Sequence, residues 1–437
     1  MNIHVPQSLE SQAEMKYLSA AQCNMISPQS SKPNMAIVQD SLLGAYRMTR
    51  HKQKLSKDQF FKIAMTLPSA PWSITKNNVM TPNEILDRIQ HIRHMLKDKE
   101  KKVQCFNGHG LISLFLPLDF IYEKTNDANP EEPTVKIWRG VFYEGTFDKV
   151  IIGSSHNSIH HVLHKEYGSE TASYFIDCIQ FCTNQYLLVH GFTVGLGDCL
   201  IPQSTNEDGV SKENEIIDVV SKCYIEAEAI KQATTHPSIR EIRINASLNK
   251  AKDIGLRIAK EALSKDNNFL STVHSGSKGD FFNIAQITGL LGQQNLKGQR
   301  VPLFLNHGKR SLPHYPFGDL TPEMEYESRG FISSGFLRGL NPRQFYFHAM
   351  SGREGICDTA MGTATSGYMQ RRIVKLTEDM KIQHDGSVRD TFGKVYQLAY
   401  GQIGFDPVCT VKVKSEQEMC DISRIVTRLN MTHELKK

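Results

Sequence analysis

His156, His160, His161 and His164 (HNSIHHVLH) form one group of side chains that could do chemistry. On a helix, His156, His160 and His164 share a face at i, i+4 spacing and could hold a metal ion. A zinc hydrolase would also need an acid as base or ligand, and Glu166 is the only close one. The plainer reading is a partly exposed helix whose histidines bond to backbone or water. A second group is Ser275-Gly276-Ser277-Lys278-Gly279-Asp280. It lacks the GxxxxGK[ST] spacing of a nucleotide-binding loop. It reads as a tight turn that either presents Lys278 and backbone amides to an anion or simply joins two helices. Cys178 and Cys182, one helical turn apart, have no matching second pair and read as buried thiols. No dense carboxylate triplet such as DxDxD is present, so no two-metal site is legible.

The stretch from His348 to Arg372 (HAMSGREGICDTAMGTATSGYMQRR) is more informative. Asn341 can cap a helix, Pro342 suits its first turn, and the pattern runs to about Lys375. That is roughly 34 residues, or about 50 Å of helix. Gly352, Gly355, Gly362 and Gly367 lie inside it, each costing roughly 1 kcal/mol against alanine. Ile356, Ala360, Ala364 and Tyr368 fall on one face, and Thr363, Ala364, Ser366 and Gly367 make the second half small. Small residues let a flat partner come close and let the helix bend. Arg371, Arg372 and Lys375 then supply charge suited to a phosphate backbone. A helix packed closely on another helix, with its arginines solvated, would show the same pattern.

The elements that must position these residues are partly legible. At 437 residues, two to four domains are expected. A 40% apolar and 22% charged composition is that of a globular chain, and a net charge of +5 permits nucleic acid without requiring it. The longest apolar run, Leu111 to Leu118, holds a proline and is far short of the roughly 20 residues a membrane span needs. No signal peptide is legible in MNIHVPQSLE, and nine cysteines without a CxxC suit a reducing compartment. Ser27 to Pro33 reads as a loop and Ala36-Ile37-Val38 as a short buried strand. Asp127 to Pro133 reads as a surface loop, and Thr171 to Val189 as a helix ending near Gly191. Ser204 to Glu215 is a candidate domain boundary, followed by two charged helices from about Ile216 to Leu263.

Six motifs, in order, carry a resemblance to a known family: MNIHVPQS, SPQSSKPNMAIVQDSLLG, GFTVGLGDCL, SGSKGDFFNIAQITGLLGQQ, LPHYPFGDLTPEMEYESRGFISSGFLRGLNPRQFYFHAMSGREGICDTA and SGYMQRR. The chain resembles the largest subunit of multisubunit DNA-directed RNA polymerases, of the eukaryotic polymerase II and large-DNA-virus type, over nearly its whole length. The resemblance implies an α+β, multidomain fold with a pore region, a helical funnel and a cleft region with a long bridge helix. The implied domains are residues 1–25, the tail of the active-site domain; 26–203, pore; 204–320, funnel; and 321–437, the start of the cleft domain with a bridge helix at about 341–375. The family's aspartate triad for catalytic magnesium precedes a Met-Asn that Met1-Asn2 resembles, and its trigger loop lies beyond the bridge helix. The chain is therefore expected to be an internal piece with no catalytic residue or metal ligand of its own, the Mg2+ of the complete enzyme being held outside it.

Residue by residue, the resemblance places Thr363, Ala364 and Tyr368 by the template base and Arg371 and Arg372 at the template backbone. Asn267, Asn268, Ser277, Lys278 and Gln286 would line the funnel through which nucleotides enter. The implied activity is template-directed nucleotidyl transfer. The implied partners are the second-largest and other polymerase subunits, DNA template, RNA and nucleoside triphosphates, with no membrane. The implied location is the nucleus if cellular, and the host cytoplasm or virion if viral. The chain departs from the family at Gly362 and Thr365, where a lysine and a glutamate are usual, and at Cys199, where a threonine is usual. Two other readings are a free-standing nucleic-acid-binding or interaction protein derived from the polymerase and a metal-dependent hydrolase built on the histidines.

Overall fold

The computed structural model describes residues 3–50, 54–73, 79–97, 105–125, 132–200, 212–264, 266–318, 320–413 and 416–435. Met1 and Asn2, residues 127–131 of the expected surface loop and residues 204–211 of the expected boundary lie outside them. The chain divides into two compact bodies, residues 1–192, 274–278 and 380–437 in the first and 193–273 and 279–379 in the second. Mixed helix and short antiparallel strands make the fold α+β.

The first body opens with α1 (Leu9–Tyr17), a two-residue ladder of β1 (Ile26–Ser27) on β2 (Lys32–Pro33), and α2 (Gln39–Thr49). The expected strand at Ala36-Ile37-Val38 is absent. Ile37 is buried and its N–H donates to Ile152 O at 3.4 Å, but Val38 already serves as the extended N-terminal cap of α2. One hydrogen bond and an immediate helix start leave no room for a ladder. The expected loop at 27–33 instead closes through its two ends as β1 and β2. Helices α3 (Lys57–Ala64), α4 (Pro82–Lys97) and α5 (Gly108–Ser113) follow, then β3 (Tyr122–Lys124), β4 (Val135–Trp138) and β5 (Val141–Glu144) as one antiparallel sheet. Gly108 is required where α5 crosses α2, since a Cβ there would sit 2.0 Å from the Met48 carbonyl oxygen.

Next come α6 (Lys149–Ile152), α7 (Ile159–Tyr167) and α8 (Ser169–His190). The last matches the helix expected to stop near Gly191, which caps it at φ 61°. Cys178 and Cys182 are fully buried on it, as their spacing suggests, beside Phe175 and Ile179 in the large core of this body.

The second body holds the expected charged pair, α9 (Lys212–Ala233) and α10 (Pro237–Ala262). They are amphipathic rather than wholly solvated: Ile216, Val220, Cys223 and Ala227 pack against Ile244, Leu248 and Ala251. After α11 (Asn268–Ser275), which ends in the short segment assigned to the first body, come α12 (Phe281–Thr288), β6 (Gly292–Gln293), β7 (Asn295–Leu296), β8 (Gln299–Arg300), α13 (Pro322–Ser328) and β9 (Phe331–Ile332). Helix α14 (Pro342–Thr377) follows, with 36 residues, within two or three residues of the span read from sequence. The first body is completed by β10 (Lys381–Ile382), β11 (Val388–Arg389), β12 (Val395–Gln397), the hairpin β13 (Val411–Val413) and β14 (Glu416–Glu418), and α15 (Ile422–Leu435).

Helix α14 starts in a reciprocal cap. Gln344 N–H donates to Asn341 Oδ1 at 2.8 Å, and Asn341 N–H donates to Gln344 Oε1 at 3.2 Å. Phe347 is buried with Val301 and Tyr315, its ring stacked on Tyr315 at 6.4 Å. Phe347 and Gln344 are the buried residues of this helix. Phe347→Ala is expected to lower stability to urea by about 3 kcal/mol or more, whereas Ile356→Ala, at a 70% exposed site, stays within about 0.5 kcal/mol of the parent. Equal losses in the two variants would mean that the helix is supported along its length.

Candidate nucleic-acid interface

Every support of α14 gathers at its N-terminal turns. Glu327 collects three groups: it pairs with Arg343 Nε at 3.2 Å and accepts from Tyr315 Oη at 3.1 Å and from Asn341 Nδ2 at 3.4 Å, while the Arg343 guanidinium lies 4.8 Å from the Tyr315 ring centre. Ser334 Oγ donates to Gln344 Oε1 at 3.2 Å. The β7–β8 hairpin meets the next turns, where Ser351 Oγ donates to Asn295 O at 3.3 Å and Glu354 accepts the Lys297 N–H at 2.7 Å. Beyond Glu354 the helix is exposed on all sides to its end.

Gly355, Gly362 and Gly367 sit in this bare part, and Gly352 lies just before it. Gly352, Gly355, Gly362 and Gly367 have helical backbone, and a Cβ on any of them would meet nothing within 4 Å. Neither close packing on protein nor a special φ explains them within this chain. Hydroxyls follow the same stretch: Thr359, Thr363 and Thr365 donate to the carbonyl four residues back, at 2.8, 2.7 and 3.2 Å, and Ser366 to Thr363 O at 3.1 Å. Such back-bonding shares carbonyls with the helix ladder and favours bending.

The five residues expected at the template share this exposed segment. Ala364, Tyr368 and Arg371 or Arg372 recur at i, i+4 and i+7 or i+8, so they line one face. Tyr368 is 63% exposed, and the Arg372 guanidinium lies 4.9 Å from its ring centre. That places a flat ring and two cations together on a surface of small side chains. The Thr363 hydroxyl is already committed to the helix backbone. Ile356, Met361, Met369 and Leu376 are also more than half exposed, apolar area of a kind that partners usually cover.

The residues expected in the funnel are held in different ways. Asn267 is buried and structural: its Oδ1 accepts the Phe269 and Leu270 N–H at 2.8 and 3.1 Å, and its Nδ2 donates to Asp198 O at 2.7 Å. The Asn268 N–H donates to Asp198 Oδ1 at 3.2 Å, and the other Asp198 oxygen accepts the Gly195 N–H at 2.9 Å. Gln286 is half-buried on α12, and its carbonyl accepts the Phe336 N–H. Ser277 and Lys278 belong to the turn assigned to the first body. There Gly276 is needed twice over, with φ +73° and a Cβ that would lie 2.6 Å from Lys149 Cβ. Lys278 is exposed at the tip. Glu327 and Asp198 carry more of this architecture than sequence reasoning assigned them. Each follows a glycine- or proline-marked motif that was legible, but an acid's role as a hub is not.

The histidines are differently arranged from the expectation. Helix α7 starts at Ile159, so His156 precedes it and does not share a helical face with His160 and His164. The turn there is set by the Asn157 N–H donating to His161 Nδ1 at 3.1 Å. Among the described residues no group of three His, Cys, Asp or Glu side chains is placed to hold a metal ion. His160 and His161 are each 1% exposed, and burial pushes them down to about 4 and about 3; His156 and His164 are lowered for the same reason. Glu166, the acid considered for a hydrolase, is instead paired with Arg424.

Three consecutive stretches match one subunit family: RNA polymerase Rpb1, domain 3, at residues 24–199; domain 4 at 224–332; and domain 5 at 339–421. The chain belongs to the RNA polymerase Rpb1 family, and carries core domains of the largest subunit. It is 45% identical over 457 aligned positions to the probable DNA-directed RNA polymerase II subunit RPB1 homolog of Invertebrate iridescent virus 6, aligning 99% of this chain. The aligned part is 42% of that relative, so the chain spans less than half its length.

The buried histidines give a pH dependence. Their folded-state affinity for protons is lowered, so the unfolded chain takes up protons first as pH drops below about 6.5. Stability is therefore full above that pH and falls from about 6.5 toward 4, by up to about 1.4 kcal/mol per pH unit for each histidine. Urea midpoints at pH 7 and pH 5 should show this loss, and the double variant His160→Gln, His161→Gln should show a shallower one. An equal slope in parent and variant would contradict the assignment.

Proposed function

We propose that the chain takes part in template-directed RNA synthesis by nucleotidyl transfer, as part of a multisubunit DNA-directed RNA polymerase, with α14 as its bridge helix. The observation that carries this reading is the bare helix. A helix anchored only through its first turns, with glycine and alanine where a packed helix would place leucine, is built to be covered by something flat. A template base pair against Thr363, Ala364 and Tyr368 fits that surface, and Arg371 and Arg372 fit the phosphates beside it. Asn267, Asn268, Ser277, Lys278 and Gln286 would line the funnel side through which nucleotides enter, with Lys278 offering a charge to a passing triphosphate.

The carboxylates that hold catalytic Mg2+ would lie outside this chain. Magnesium in the complete enzyme supplies charge stabilisation at the transferring phosphate from ligands contributed elsewhere. The part of this chain is to position the template. Arg371 and Arg372 would hold the backbone, and the small segment 362–367 would sit against the base pair and bend as it advances. The second-largest subunit and other polymerase subunits, DNA, RNA and nucleoside triphosphates are the proposed partners. The location would be the nucleus if the source is cellular, and the host cytoplasm or virion if it is viral, as is the source of the relative from Invertebrate iridescent virus 6. No helix among the described residues is long and apolar enough to cross a membrane.

The test places three variants in the assembled polymerase. Gly367→Ala should stabilise α14 by about 1 kcal/mol while slowing elongation. Ala364→Leu should slow nucleotide addition without preventing assembly. Arg371→Ala should weaken template binding and lower the salt slope of that binding by about one. Unchanged elongation in the first two variants would make α14 a structural strut and overturn the reading.

A further inference from the structure

The first body contains a cavity of about 380 Å3 that the proposed function does not use, walled by α7 on one side and by the β13–β14 hairpin and the start of α15 on the other. That volume is within the roughly 300–1,000 Å3 of small-molecule sites. From α7, His161 and Lys165 line it, one helical turn apart and so on one face. His161 is 1% exposed. Its Nδ1 accepts the Asn157 N–H at 3.1 Å, so the proton of the neutral ring sits on Nε2. That Nε2–H finds no acceptor among the described residues. A buried donor without a partner is costly. Lys165 Nζ donates to the carbonyls of Val408 and Thr410, and it pairs with no carboxylate among the described residues. Its charge is near enough to help keep the His161 ring neutral. Lys412, two residues beyond Thr410 on the opposite wall, has no ion pair among the described residues either. The acids of the lining are engaged elsewhere. Glu166 pairs with Arg424 and Arg428, Glu123 pairs with Lys136 at 3.6 Å, and Asp421 accepts the Arg424 N–H at 3.1 Å in the first turn of α15. Two ammonium groups of the lining are thus left without a counter-charge.

We propose that this cavity is a binding site for a small organic phosphate monoester, its phosphoryl oxygens accepting from the Lys165 ammonium and the His161 Nε2–H. Lys412 supplies the second positive charge. The class of ligand follows from the charge left over. A phosphate monoester carries about −1.5 to −2 at neutral pH, which two unpaired ammoniums balance, whereas a carboxylate brings a single charge. Lysine binds phosphate as a point charge and needs no fork geometry. The arginines of the lining, which have that geometry, are already committed to Glu166. The organic part follows from the rest of the wall. Val162, Val411, Val413, Met419 and Ile425 also line the cavity, and inorganic phosphate would leave them uncovered. Sites of this kind combine an apolar lining with a few polar groups that fix orientation.

The test titrates the folded 437-residue chain, its histidine rings labelled with nitrogen-15, with phenyl phosphate, inorganic phosphate and benzoate at constant ionic strength. Calorimetry reads affinity, and NMR reads the ring N–H signals, that of His161 being assigned by its loss in His161→Gln. Phenyl phosphate should bind at one site, shift the His161 Nε2–H signal, and bind about tenfold or more tightly than inorganic phosphate or benzoate. Lys412→Gln, a change at an exposed position, should weaken phenyl phosphate about tenfold, as expected for one lost charged contact, and leave the thermal transition in place. Lys165→Gln should weaken it at least as much. Lys62→Gln, an exposed lysine that does not line the cavity, should leave the affinity unchanged. No saturable binding of phenyl phosphate, equal affinity for benzoate or inorganic phosphate, an unmoved His161 signal, or unchanged affinity in Lys412→Gln would overturn the proposal.

Discussion

The Phe347–Tyr315–Glu327 knot decides what α14 can be. Phe347 is the one large apolar side chain that this helix buries, and it does so against Tyr315, whose hydroxyl, together with Asn341 and Arg343, converges on Glu327. A 36-residue helix is about 54 Å long, and these contacts hold only its first turns. The rest must be helical by propensity and by the cap alone, with Gly355, Gly362 and Gly367 working against it. Helices are normally stabilised by burying a stripe, and this one exposes residues on every side. The arrangement is economical only if the missing contacts come from outside the chain.

The scaffold behind the knot is comparatively stiff. Glu241 accepts two hydrogen bonds from Arg300, both at 2.9 Å, and a third from Arg329 at 3.3 Å, joining α10 to β8 and the end of α13. Tyr326 stacks on Tyr224 at 5.3 Å and donates to Glu228, so α13 is locked to α9. Glu327, next in sequence to Tyr326, therefore projects from a helix that cannot easily shift. Charge-assisted, bidentate pairs of this kind specify geometry as much as they stabilise it. Rigidity up to Glu354 and bareness beyond it are two sides of one design, since a helix that bends against a partner needs a fixed end to bend from.

Much of this was legible from residue types alone. Asn341-Pro342 announced a cap, and the span of α14 followed from uninterrupted helical pattern. Gly191 marked the end of α8, and Cys178 and Cys182 behaved as small buried apolar groups. Other features depended on long-range partners. Ala36-Ile37-Val38 has strand composition, but whether it pairs is decided by what lies alongside, and α2 begins there instead. The histidine spacing suggested one helical face, yet a hydrogen bond from Asn157 N–H to His161 ends the turn before the helix starts. Asn267 was legible only through family resemblance, and the structure shows it as a cap and tether whose side-chain atoms are already engaged. The hubs Glu327 and Asp198 had no local signal, because an acid that gathers partners from several segments looks like any other acid in sequence.

Amide hydrogen exchange along α14 tests the central claim most directly, compared between the isolated chain and the assembled polymerase on a template. The account predicts slow exchange near Phe347 in both states. It predicts fast exchange from about Gly355 to Lys375 in the isolated chain, with protection on assembly and template binding concentrated between Thr363 and Arg372. Strong protection of that segment already in the isolated chain, or none gained on template binding, would contradict it.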